Sequence, residues 1–185
     1  MSGDEFSIEP VSTETLLGTL RREVVDVWAS AHELPRASPT RDEFGRTRLN
    51  RHASRDDFRF VGAFAGDARL VGFVYGYTGA RGQWWYDRVA KALDRAARRR
   101  WLDPGHFEFT ELAVHPDFQE RGIGSRLHDR ILEDLPHERA MLSALAENAR
   151  VVSFYRRRGW EVVLERLRFE AGRPEFTIMG RELRG

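Results

Sequence analysis

Between Phe107 and Leu135 the chain reads FEFTELAVHPDFQERGIGSRLHDRILEDL, and no other stretch restricts the available folds as strongly. Phe107 to Val114 mixes apolar and β-favouring residues over a strand-sized window, which predicts a strand. His115 and Pro116 end it, because proline supplies no ladder donor and restricts the residue before it. Beyond Gln119, apolar residues recur at Ile123, Leu127, Ile131, Leu132 and Leu135, a helical spacing. Strand, glycine-bearing turn and helix follow in order. Gly122 and Gly124 let the backbone approach a ligand closely, and the first-turn amides of a helix point outward with the positive end of its dipole behind them. Such an arrangement binds phosphate.

Three phosphate-binding readings compete. A P-loop needs Gly-Lys-Ser/Thr, and Gly124 is followed by Ser125 and Arg126. A dinucleotide fingerprint needs a third glycine at position 127, which is leucine, and an acidic residue ending a second strand; Glu147 lies near that distance but follows a poorly matching segment. What remains is Gln/Arg-x-x-Gly-x-Gly/Ala, carried here by Gln119 to Gly124 after a strand and His-Pro. This stretch resembles the pyrophosphate-binding segment of the GCN5-related N-acetyltransferases (GNAT). A second stretch supports the resemblance. Asn148, Tyr155, Gly159 and Trp160 follow the family's Asn-x-x-Ala-x-x-x-Tyr-x-x-x-Gly-Phe/Trp signature in order, with valine in the usual alanine place.

A chain of 185 residues is long enough to bury a proper core as a single domain, 1–185. Nothing resembles a signal peptide and no apolar run is long enough to cross a bilayer, so no membrane partner and a cytoplasmic location are expected. The chain has no cysteine, which excludes disulfides, thiolate metal sites and a cysteine nucleophile. A formal net charge of +1 argues against nucleic-acid binding by the chain as a whole.

In order along the chain, Met1 to Pro10 predicts a frayed end leading into a first strand near Phe6 to Pro10. Thr13 to Ala31 predicts one helix, capped by Thr13, with Leu16, Leu17, Leu20, Val24, Val27 and Trp28 as its apolar stripe. The polar segment Leu34 to Arg55 is expected to hold a short helix near Arg41 to His52. Phe58 to Phe64 and Arg69 to Tyr77 predict an antiparallel pair about Ala65-Gly66-Asp67-Ala68. Tyr75 and Tyr77 are each read as ordinary strand residues. Residues from about 83 to 101 predict an inserted amphipathic helix, with Trp85, Val89, Ala92, Leu93, Ala96 and Ala97 inward and arginines outward. Its basic face suits solvent first, then a cap over phosphates or an acidic acceptor, then nucleic acid. Trp84, Trp85 and Trp101 are expected to anchor it to the core or to another subunit, which is compatible with a homodimer. Ala140 to Leu145, Trp160 to Leu164 and Phe176 to Leu183 predict strands, and Ala149 to Arg158 a helix ended by Gly159.

The resemblance implies an α/β fold: a mixed, mostly antiparallel sheet with splayed parallel strands 4 and 5, flanking helices, and the insertion between strands 3 and 4. It implies an acetyl-CoA-dependent N-acetyltransferase acting on a primary amine of a small molecule, antibiotic or protein, without a metal. Leu112, Ala113 and Val114 would meet the pantetheine arm and the oxyanion; Gln119, Glu120, Arg121, Gly122, Ile123, Gly124 and Ser125 would hold the pyrophosphate. Asn148 would bond the pantetheine or phosphate region. Tyr155 aligns with the family's proton donor, and a phenol with a reference pKa of about 10 is protonated at neutral pH. Glu108 and Glu111 are candidate bases on opposite faces of one strand, Glu108 ranked ahead. The alternative is a module of this fold that binds acyl-CoA or nucleic acid without turnover, through the arginine-rich insertion.

Overall fold

The computed structural model describes residues 6–183. The frayed end expected over Met1 to Glu5 lies outside the described residues. The first half of the chain runs β1 (Ser7–Pro10), α1 (Thr13–Leu17), α2 (Arg21–Ala31), α3 (Pro39–Glu43), a π-helical turn (Phe44–Arg48), α4 (Leu49–Ala53), β2 (Arg59–Phe64) and β3 (Leu70–Gly79). There follow α5 (Trp84–Ala92), α6 (Arg95–Trp101), β4 (His106–Val114), a 3-10 turn (Pro116–Phe118), α7 (Ile123–Leu132), β5 (Arg139–Leu145), α8 (Ala149–Arg156), β6 (Glu161–Arg168) and β7 (Glu175–Glu182). The seven strands are ordered β1-β2-β3-β4-β5-β7-β6. Only β4 and β5 run parallel among the registered pairs, joined at Phe107 to Ala140 and Glu108 to Met141, where both strands begin. This is the mixed sheet with a splayed parallel pair that the resemblance implies.

Two compact units divide the chain. The first comprises the residues up to Tyr77 together with Thr110–Glu133. In it β1 pairs antiparallel with β2, Ile8 opposite Ala63, and β2 with β3, Phe60 opposite Tyr75. Apolar side chains of α1, α2, the π turn and the strands interlock in one core, with Leu16, Val24, Phe44, Leu49 and Phe73 fully buried. The helix expected over Thr13 to Ala31 is two helices. Gly18 takes φ −90°, ψ −88° and ends α1, while Leu16, Leu20 and Val24 remain buried across the break. Ser12, not Thr13, caps α1, its Oγ accepting from the Thr15 amide at 3.1 Å. The short helix expected near Arg41 to His52 is longer and contains the π turn.

The second unit comprises Thr78–Phe109 and the residues from Asp134 onward. Here β5 pairs antiparallel with β7, and β7 with β6. The insertion is likewise two helices: Leu93 leaves the helical conformation and Asp94 caps α6, its Oδ1 accepting from Ala97 N at 2.8 Å. Tyr86, Val89, Leu93 and Trp101 turn into a core with Met141 and Ile178, whereas Ala92 and Ala96, expected inward, are exposed. Trp101 lies so close to β7 that a Cβ on Gly180 would stand 2.6 Å from its ring. Trp84, by contrast, is 51% exposed.

His106 is fully buried, and burial pushes its pKa down to about 3. Its ring stacks on Tyr86 at 5.9 Å, and a Cβ on Gly79 would stand 2.2 Å from its Nε2. Gly79→Ala is therefore expected to overpack this site and to cost about 1–3 kcal/mol, read from the urea unfolding midpoint. A wild-type midpoint would show that His106 withdraws freely.

Candidate functional site

The polypeptide between β4 and α7 forms the first part of the site. His115 donates its amide to Val71 O at 2.8 Å, which holds the end of β4 against β3. Pro116 then opens the 3-10 turn, and the His115 ring accepts from the Asp117 amide at 3.3 Å. His115 is thus a turn residue, as its place before proline implies. Gln119 folds back so that its Nε2 donates to Val114 O at 3.1 Å, fixing the loop to the strand it has just left.

Beyond Gln119 the backbone enters the left-handed region twice within three residues, at Glu120 (φ 63°) and Gly122 (φ 79°). Gly122 is the N-cap of α7, and glycine reaches that conformation without a Cβ clash. A Cβ added at Gly122 would meet nothing within 4 Å, and one at Gly124 only Val114 Cγ2 at 3.9 Å. The space over the loop is open. The amides of the first turn of an α-helix have no acceptor within the helix, so the start of α7 brings such amides and the positive end of the dipole to this loop. Leu127 and Ile131 bury the opposite face of α7 and hold the helix in place. Phe118 carries the Arg69 and Arg121 guanidinium groups 5.0 and 5.3 Å from its ring centroid, adding two cations beside the loop.

Glu111 forms the second part. It stands two residues before Ala113 and, by strand alternation, on the same face. Trp28 Nε1 donates to Glu111 Oε2 at 3.0 Å and His32 Nε2 lies 3.2 Å from Oε1, so both carboxylate oxygens are held, by a residue of α2 and by its C-cap. Trp28 stacks on Phe44 with centroids 4.1 Å apart, and Arg48 lies 5.6 Å from the Trp28 centroid. The hydrogen bond donated to Glu111 raises the His32 pKa above the ordinary histidine value, against the opposing effect of burial. The His32 side chain is 47% exposed and that of Glu111 19%, so the pair connects a strand carboxylate to solvent.

Nearby on β3, Tyr75 and Tyr77 are buried, and Tyr75 Oη lies 3.0 Å from His52 Nδ1. Burial, with Arg51, Arg48 and Arg55 close by, pushes His52 down to about 3. This imidazole is neutral at any ordinary pH.

The remaining expected residues belong to the second unit. Glu108 is only 4% exposed. Asn148 is exposed and caps α8, its Oδ1 accepting from Val151 N at 3.1 Å, which leaves the amide nitrogen for other partners. Tyr155 is 8% exposed and meets Phe109 and Trp160 edge-on at 5.9 and 5.7 Å. Sequence reasoning took Trp28 for a core residue and overlooked His32. The signal was present: Trp28 and His32 are four apart and so share one face of a helix. Among the described residues no group of three or more His, Asp or Glu could hold a metal, and no helix is long and apolar enough to cross a membrane.

The model of the acetyltransferase (GNAT) family matches residues 22–160. The GCN5-like protein acetyltransferase Rv2170 of Mycobacterium tuberculosis is 35% identical over 124 residues, which cover 63% of this chain and 60% of that protein. Among solved structures, the ribosomal-protein-S18-alanine N-acetyltransferase of Escherichia coli superposes with a TM-score of 0.66 at 17% identity, covering 97% of this chain and 94% of its own. The PaiA N-acetyltransferase of Thermoplasma acidophilum, solved with coenzyme A, gives 0.58 at 19% identity over 96% of this chain and 99% of its own. At these identities the two structures speak for the fold.

Glu111→Gln is expected to lower the His32 pKa, measured from the imidazole resonances by NMR titration. The sign follows from the raised folded value: the pair stabilises the fold fully below the unfolded histidine pKa of about 6.5, and that contribution is lost as pH rises through the raised value. An unmoved His32 pKa would detach the imidazole from Glu111.

Proposed function

The chain belongs to the acetyltransferase (GNAT) family, and from that premise we propose that it transfers the acetyl group of acetyl-CoA to the primary amine of a small molecule or protein. The observation that carries this reading is the loop from Gln119 to Ser125, with open space above Gly122 and Gly124 at the start of α7. Backbone without side chains, outward amides and two flanking arginines suit a pyrophosphate. The coenzyme A bound to the PaiA enzyme, a relative in fold, is in keeping with that.

Acetyl-CoA brings an activated thioester. The chain must supply a neutral nucleophile, a donor for the developing oxyanion and a proton for the departing thiolate. An amide at Ala113 or Val114 is the proposed oxyanion donor, with Leu112 beside it lining the pantetheine path. Gln119 fixes the far side of the same peptide segment by its bond to Val114 O. Glu111 is the proposed base, which reverses the order in which the sequence ranks the two glutamates. It is oriented by two donors and partly open to solvent, whereas Glu108 is almost wholly buried. It would take a proton from the incoming ammonium and release it to water, with His32 positioning the carboxylate. Tyr155 is the proposed acid for the thiolate, and Asn148, with its amide nitrogen to offer, a contact for the pantetheine or phosphates.

The single-domain reading of 1–185 belongs to the same proposal. The 35% identity to the mycobacterial protein acetyltransferase makes a protein amino group a natural acceptor to test alongside small amines. The arginine-rich insertion gives the non-catalytic alternative less support than sequence suggests, because Arg100 is taken by Glu161 and Glu182.

Calorimetry with acetyl-CoA should show binding that NADH does not reproduce, and Gly124→Trp, which fills the open space over the loop, should abolish it. Unchanged affinity in that variant would move the site elsewhere. Tyr155→Phe is expected to lower kcat by about a hundredfold while leaving acetyl-CoA affinity within about threefold. Thiol release at the wild-type rate would return Tyr155 to a packing role.

A further inference from the structure

The outer side of α2 faces a second feature of the first unit. Arg21 and Arg22 open the helix, and Val25 and Asp26 follow one turn later. Opposite them the π turn presents Gly45 and Arg46, and α3 presents Arg41 and Asp42. Together these residues line a cleft of about 660 Å³. None of them belongs to the loop from Gln119 to Ser125 or to the Glu111 cluster.

Its floor is held close. A Cβ on Gly45 would stand 2.8 Å from Val25 Cγ2, so glycine is required for this close approach. Arg21 uses that carbonyl, donating Nη1 to Gly45 O at 2.7 Å and to Asn50 Oδ1 at 2.9 Å, and Nε to Leu17 O at 2.9 Å. Every one of these acceptors is neutral. The Arg21 guanidinium is therefore fixed in position by neutral acceptors and has no carboxylate partner among the described residues. Arg41 pairs with Asp26. Arg22 and Arg46 are exposed, and neither has a carboxylate partner among the described residues. Four arginines thus face two aspartates around one cleft, with one guanidinium locked and two at liberty to close on a ligand. Guanidinium forks match phosphate and carboxylate bidentately. The cleft's volume lies in the range of small-molecule sites, about 300–1,000 Å³. Its wall includes a π-helical turn, a distortion that recurs at functional sites.

We propose that this cleft, formed by Arg21, Arg22, Arg41 and Arg46 against the π turn, binds a small organic polyanion bearing phosphate or carboxylate groups. The inference goes beyond the acetyltransferase reading and does not depend on it. The ligand meets Nη2 of the fixed Arg21, whose other nitrogens are already engaged, and takes its bidentate contacts from Arg22 and Arg46.

The test uses the whole protein, titrated by calorimetry with inorganic pyrophosphate and separately with citrate, both as the wild type and as Gly124→Trp, in which the loop before α7 is blocked. At least one anion should bind, and which of the two is tighter distinguishes phosphate from carboxylate recognition. Arg22→Ala/Arg46→Ala should weaken that binding by about tenfold or more, and Arg22→Lys/Arg46→Lys, which restores charge without the fork, should recover part of it. Gly124→Trp should leave it within about twofold. The proposal is overturned if neither anion binds, if the double alanine variant binds as the wild type does, or if Gly124→Trp abolishes binding. The last result would put the probe on the loop instead.

Discussion

The parallel ladder between β4 and β5 constrains everything built around it. Two consecutive parallel strands cannot be joined by a hairpin, so the chain must leave the sheet, cross it as a helix and return. That helix is α7. It follows β4 after the 3-10 turn, and the left-handed Glu120 and Gly122 complete the change of direction into it. The position of the glycine loop is therefore a consequence of topology before any ligand is considered. The chain refines it by omitting side chains at Gly122 and Gly124 and by tying Gln119 back to Val114. The proposed binding geometry and the fold rest on the same residues.

This explains why the central segment was legible in sequence. Strand, proline break, paired glycines and an apolar helical stripe each obey a local rule, and the rules agree. Where the reading departed from the structure, local pattern was silent. The break at Gly18 leaves Leu16, Leu20 and Val24 in one buried row, so periodicity runs through it undisturbed. The break at Leu93 is set by Asp94 capping α6, and the same aspartate reads equally well as an exposed helical residue. The π turn has no spacing of its own that a 3.6-residue stripe would reveal. Glu111 was recognisable as a strand carboxylate, yet its partners Trp28 and His32 lie about eighty positions earlier. Only the packing of α2 on β4 brings them to it.

Two neutral histidines show how the same fold makes polar groups part of its core. His52 and His106 are both held down to about 3, burial being the larger cause in each. The sign is the reverse of that for His32. An unfolded chain protonates these imidazoles near 6.5 while the folded one does not, so folding weakens as pH falls from there toward 3. His32 works against this slope through its bond to Glu111. The catalytic candidate and the acid sensitivity of the fold are thus set by histidines of opposite environment.

The π turn is where these threads meet. A regular helix from Pro39 to Ala53 would present its side chains at steps of 100°, and the extra residue of a wider turn shifts that register. As built, Phe44 lies flat on Trp28, Arg48 covers the same indole, and Gly45 closes on Val25. Arg46 is consequently exposed, on the cleft side of α2. One distorted turn braces the indole that orients Glu111 and lines the arginine cleft on the other side of the helix.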